Sequence, residues 1–229
     1  MEEIYEGGKS MTARFWDSYA RRYDAITVLR PYKHMISDIA MRIPEHCKTV
    51  LDAGCGTGEL LAHIANERPE IKLSGIDFSP AMLHLAQVKV PHAELKQGDL
   101  AASWPIESQS TDVTISVNTL YAIASPVEFL SEMRRVTKAG GKIIVSTPKK
   151  GAKLLSLIVE HLKAKPGLAS TLEVVRMIPA VAPNLKILNK AHTGNYHFLT
   201  AKQITDLANP DLLATTYAAQ NWLFEVTVE

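Results

Sequence analysis

The sequence predicts an α/β fold, a doubly wound parallel sheet, on three observations. A short apolar run at 49–53 enters a turn with Gly54, Gly56 and Gly58, then an amphipathic helix over about 59–66 with Leu60, Leu61, Ile64 and Ala65 on its apolar side. A second apolar run, 72–76, closes on Asp77; an acid about 20 residues past such a turn is placed to accept from ribose hydroxyls. Strand-like runs and helical stretches then alternate as βαβαβαβαβ to residue 146, an order that demands parallel strands with crossover helices.

The 229 residues suffice for one domain with a substantial core, so 1–229 is expected to be a single unit. Within it 1–48 form N-terminal helices and a lid, 49–148 the ligand-binding core, 149–208 a cap and acceptor region, and 209–229 the final strands. An apolar fraction of 46% and a charged fraction of 21% are ordinary for a globular chain. A net charge of +1 gives no electrostatic case for nucleic acid. The two cysteines, Cys47 and Cys55, make no disulfide framework, and with no leader pattern the reading is a cytoplasmic protein. No run reaches the ~18 apolar residues of a membrane span, and no Cys/His cluster has metal spacing. Oligomeric state is left open, a homodimer among the options.

In chain order, Thr12 is placed to cap a helix to about residue 23 whose Phe15, Tyr19 and Tyr23 lie four apart on one face. It either packs on the domain edge or closes over the site. Residues 31–43 read as a core-facing helix ended by Pro44-Glu45. After Asp77, Ser79 suits N-cap and Pro80 the first turn of a helix to about residue 88. A strand near 93–96 leads to Asp99 and Leu100. The run 112–117 suits a central parallel strand and ends at Asn118-Thr119-Leu120-Tyr121. Ser125-Pro126 opens a helix to about residue 137, Lys138 complements its dipole, and Gly140-Gly141 reads as the helix stop before a strand at 142–146. Beyond Pro148 come a helix at 152–163 and a second opened by the capping-box match at Ser170-Thr171-Leu172-Glu173. This pair, 151–182, is either an acceptor cap or scaffold. Thr200 and Gln203 form another capping-box match for a helix to residue 208. Runs at 214–219 and 222–228 read as strands around a turn at Gln220-Asn221.

The glycine turn and Asp77 suit NAD as well as S-adenosylmethionine (SAM). Asp52, two residues before Gly54, separates them. A carboxylate there repels pyrophosphate and attracts an ammonium. Asp99, at a third strand end, is placed to accept from an adenine amino group. Asn118 and Tyr121 border the crevice where strand order reverses.

The segments LDAGCGTG (51–58), GIDFSPAML (75–83), QGDL (97–100), DVTISVNTLY (112–121) and FLSEMRRVTKAGGKIIVSTP (129–148) resemble class I SAM-dependent methyltransferases of the small-molecule, ubiquinone/menaquinone type. The resemblance covers about 12–150 and implies a Rossmann-like, seven-stranded sheet with the last strand antiparallel and a helical cap insertion. It implies that Asp52 orients the methionyl ammonium, Gly54 and Gly56 bear the methionyl part, Asp77 holds the ribose, and Phe78, Met82, Asp99 and Leu100 surround the adenine. Met82 is equally read as core. A W-D-x-x-A-x-x-Y-D segment, Trp16 to Asp24, resembles the family lid and implies contacts from Tyr23 and Tyr19.

Candidate catalytic bases are His197, His192 and Tyr196, with Tyr121 as an acceptor contact or a packing residue. The histidines are equally read as loop residues. The acceptor is expected to be small and partly hydrophobic, methylated on O, N or C. A SAM-binding module without catalysis is the alternative, and an NAD-dependent oxidoreductase ranks below it.

Overall fold

The computed structural model describes residues 13–164, 166–181 and 196–229. Strands β1 (Thr49–Ala53), β2 (Lys72–Asp77), β3 (Glu94–Gln97), β4 (Thr111–Val117), β5 (Thr137–Pro148), β6 (Leu212–Thr216) and β7 (Asn221–Thr227) form one sheet in the order β3-β2-β1-β4-β5-β7-β6. β1 to β5 run parallel, and β7 is antiparallel to both β5 and β6. The resemblance implied this sheet, down to the reversed last strand. Order reverses between β1 and β4, so their carboxyl ends diverge into a crevice.

Helices α1 (Ala13–Thr27), α2 (Arg30–Ala40), α3 (Glu59–Glu67), α4 (Pro80–Lys89), α5 (Pro126–Val136), α6 (Leu154–Ala164), α7 (Leu168–Arg176) and α8 (Ala201–Ala208) surround it. Successive β1 residues feed opposite cores. Val50 joins Met35, Ile39 and Leu61, while Leu51 joins Phe129, Met133 and Ile204. Both faces of a parallel sheet must be covered in this way. The expected caps form. Ser79 Oγ accepts from Met82 N at 3.2 Å, Ser125 Oγ from Glu128 N at 3.3 Å, and the Thr200/Gln203 box is complete.

Four details depart from expectation. Gly140 and Gly141 lie inside β5, not in a helix stop, because their backbone is claimed by the last strand: Gly140 N donates to Val228 O and Val228 N to Gly141 O. Lys138 is consequently off the helix and pairs with Asp112 at 2.6 Å. Ser170 is interior to α7, its hydroxyl donating to Gly167 O at 2.8 Å, and Glu173 reaches His161 at 3.1 Å instead of closing a capping box. The β6–β7 turn begins earlier than expected, with Tyr217, Ala218 and Ala219 left-handed at φ 56°, 51° and 60°.

Candidate active site

A cavity of about 290 Å³ opens at the carboxyl ends of β1, β2 and β4. Its floor is the glycine turn. Gly54 has φ +85°, and a Cβ there would lie 2.2 Å from Thr119 Oγ1, so the position tolerates only glycine. The Gly56 amide donates to Asp77 Oδ2 at 2.9 Å, and Ser79 N donates to Asp77 Oδ1 at 2.9 Å. Two backbone donors thus fix the Asp77 carboxylate at the end of β2. Burial pushes its pKa up, and these N–H groups oppose that shift.

Next to Asp77, Phe78 is half-exposed and Met82 buried, both on the cavity wall. Asp99 and Leu100 complete that end, with Asp99 Oδ1 accepting from Ala101 N at 2.9 Å. α1 crosses above and contributes Trp16, Tyr19 and Tyr23. It is fastened at two acids. Asp17 Oδ1 accepts from Ser79 Oγ at 2.5 Å and from Ala81 N at 3.3 Å. Asp24 accepts from Thr57 Oγ1 at 2.5 Å and pairs with Lys89 at 2.8 Å.

The other half is built from the ends of β4 and β7. Asn118 sits left-handed at φ 54°, and its Oδ1 accepts from Asn221 Nδ2 at 2.7 Å. The same Nδ2 donates to Ser146 Oγ at 2.9 Å, so the orientation of the pair is set by three residues. Tyr121 packs between Tyr196 and Phe198 at centroid distances of 5.3 and 5.6 Å. Burial pushes the Tyr121 phenol well up, which keeps it a neutral donor rather than a base. Lys153, Leu157, Tyr217 and Gln220 close the wall.

Among the sequence-predicted residues, Asp52, Tyr196 and His197 are described but do not line the cavity. Asp52 is 2% exposed beneath the glycine turn, and its Oδ1 has no hydrogen-bond partner. Burial first, and the Asp77 charge second, push its pKa up to about 8. His197 is turned outward. Its Nε2 lies 3.2 Å from Ala124 O, and its amide donates to Tyr121 O at 2.8 Å, which corrects the expectation that it faces the acceptor. His192 lies outside the described residues. All the other predicted residues line this one cavity.

Sequence reasoning missed Asp17 and Asp24 as fasteners, although both stand in the segment read as a lid. It also missed Tyr217, Gln220 and Asn221, which only the pairing of β7 with β5 brings to the site. Among the described residues the lining side chains carry two acids, Asp77 and Asp99, against one cation, Lys153. Since the Gly56 amide is committed to Asp77, the turn offers little to a phosphate and suits a cationic ligand. Among the described residues no cluster of His, Cys, Asp and Glu could hold a metal ion.

Comparison with known proteins agrees with this geometry. A family model described as a methyltransferase domain matches residues 45–202. A ubiquinone/menaquinone biosynthesis C-methyltransferase, UbiE, of Geobacter sp. (strain M21) is 30% identical over 164 residues, 65% of this chain and 68% of that one. A malonyl-[acyl-carrier protein] O-methyltransferase of Hahella chejuensis is 29% identical over 141 residues, 61% of this chain and 50% of that one. The chain spans about half the length, or less, of the first three curated relatives it matches. A solved SAM-dependent methyltransferase structure from Thermotoga maritima has a TM-score of 0.63 at 16% identity, covering 94% of this chain and 99% of that one, a likeness of fold alone.

Proposed function

The chain belongs to the methyltransferase domain family, and from that premise we propose that it transfers the methyl group of SAM to a small, partly hydrophobic acceptor. The atom methylated is O, N or C, and the chain acts as one unit over 1–229. Two buried free thiols, Cys47 and Cys55, support a reducing cytoplasmic setting.

The observation that carries the reading is the pairing of Gly56 with Asp77 on a wall richer in acid than in base. Asp77 holds the ribose hydroxyls with a carboxylate already oriented by two amides. Gly54 and Gly56 leave room for the methionyl part against bare backbone. Phe78, Met82, Leu100 and Asp99 take the adenine, and Asp52 acts on the ammonium by its charge from beneath the turn. Tyr19 and Tyr23 cover the site from α1, while Asn118 and Tyr121 border the acceptor.

SAM, when bound, supplies an activated methyl group on a sulfonium that leaves without acid assistance. What the chain must do is align the acceptor and exclude water. Asn118 presents an amide whose oxygen is held by Asn221, which leaves its Nδ2 donor for an acceptor oxygen. The aromatic wall of Tyr121, Phe198 and Tyr217 suits a planar or apolar acceptor body.

Thermal shift with SAM, S-adenosylhomocysteine and NAD in parallel tests the cofactor. Ligand at about 100 times its Kd adds roughly 2.7 kcal/mol, a rise of about 5–10 °C for a chain of this size. A shift with NAD alone would overturn the reading. Conversion of SAM to S-adenosylhomocysteine in the presence of a cell extract then separates an enzyme from a binding module.

A further inference from the structure

α7 is amphipathic in the inverse sense. Its inward side carries Ser170, Glu173 and Val174. Its solvent side carries Leu168, Leu172 and Val175, which are 77%, 49% and 52% exposed, and Ile178 follows at 61%. Those three stand at positions i, i+4 and i+7, the spacing by which a surface helix ordinarily meets its own core. α6 packs against α7 and adds Leu155 and Val159, one turn apart and also exposed. An exposed apolar stripe of this kind marks an interaction site.

The exposed charges of this segment are mostly positive. Among the described residues of 149–181 the exposed cations are Lys150, Lys163, Arg176 and, on the cavity wall, Lys153. The one exposed acid there, Glu160, is paired with Lys163 at 3.1 Å, and Glu173 is turned to His161. An apolar stripe edged by lysine and arginine is the pattern of a helix lying in the plane of an anionic bilayer interface. A second copy of the chain would set these cations against each other, which disfavours a symmetric pair.

We propose that the solvent face of α6 and α7 docks on an anionic lipid surface. The seat is interfacial. Among the described residues no helix is long and apolar enough to cross a membrane. Leu157, on the inward side of α6, lines the cavity, so one helix separates the lipid from the site. Docking does not depend on methyl transfer, and SAM binding serves only to show that a variant is folded.

The test is flotation of the full chain with phosphatidylcholine vesicles made with and without phosphatidylglycerol, on the parent, on Leu172→Glu/Val175→Glu and on Lys163→Glu/Arg176→Glu. The parent is expected to float with the anionic vesicles only, and each double variant to bind them at least about tenfold more weakly, with an unchanged thermal shift by SAM. Absence of binding by the parent, or binding by either variant as strong as the parent's, overturns the proposal. So does light scattering that shows a dimer abolished by Leu172→Glu/Val175→Glu. Should that variant melt early, the face is covered by the chain itself and the proposal fails; the charge variant, which leaves the apolar stripe intact, gives an independent reading.

Discussion

The Asp24 carboxylate on α1 accepts a 2.5 Å hydrogen bond from the Thr57 hydroxyl in the glycine turn, while its other oxygen lies 2.8 Å from Lys89 Nζ. Seven residues earlier on the same helix face, Asp17 accepts from Ser79 at the start of α4. α1 is therefore fastened both to the glycine turn and to the start of α4. Removing a charged hydrogen-bond partner typically costs ~1.5–3 kcal/mol, and partial exposure of Asp24 places it at the low end. Asp24→Ala is expected to weaken SAM about tenfold in calorimetric titration. Asp17→Ala is expected to act similarly, and the double variant less than additively, since both act on one lid. Unchanged affinity in both single variants would refute the fastening.

Asp52 predicts opposite pH slopes for stability and for binding. Its folded pKa is raised to about 8 from a usual 3.8. The folded state holds a proton there that the unfolded chain has released. Stability from this group is full below about pH 4 and is lost as pH rises through about 8. A cationic ligand needs the ionised form, so SAM affinity is expected to rise over the same window, by at most about tenfold per pH unit. Asp52→Asn is expected to flatten both slopes; Asp77, raised in the same direction, leaves a residue of each. Melting curves and titrations from pH 5 to 9 check this, and parallel slopes would remove Asp52 from the ammonium site.

Asp77→Ala and His197→Ala separate the ribose anchor from the loop histidine. The first removes the acceptor of the Gly56 and Ser79 amides and frees the turn. A loss of SAM affinity of about 100-fold is expected. His197, held on the Ala124 carbonyl outside the cavity, is expected to change affinity by less than about twofold. Equal losses in the two variants would reverse these roles.

The sheet was legible because its signals are local. An apolar run before Gly54, a Ser-Pro start at α4 and α5, and Thr200 with Gln203 each need only a few neighbouring residues. The side of the cavity at β1 and β2 followed, since Gly54, Asp77 and Asp99 stand at or just past strand ends. On the opposite side Asn118 and Tyr121 were legible but Tyr217, Gln220 and Asn221 were not, because Asn221 meets Asn118 only after β7 inserts beside β5, about a hundred residues away in sequence. Gly140-Gly141 misled for the same reason. A glycine pair after a helix reads as a stop, and only the distant Val228 makes it part of a strand. His197 looked available because sequence carries no sign of which way a loop side chain turns.

Gly54 offers a test of the turn that does not use a ligand. Its φ of +85° disfavours any side chain, and an added Cβ would meet Thr119 Oγ1 at 2.2 Å and Thr119 Cγ2 at 2.5 Å. The left-handed penalty alone is ~1–2 kcal/mol, and the collision adds to it. Gly54→Ala is expected to lower Tm by about 4–8 °C. Thr119→Ala removes the two nearest colliding atoms but leaves Thr119 Cβ at 2.8 Å. The double variant is therefore expected to recover part of the loss and not all of it, with a coupling of at least ~0.5 kcal/mol. Strict additivity would mean that the turn shifts away from Thr119 when Gly54 is replaced, and that the contact does not hold the glycine in place.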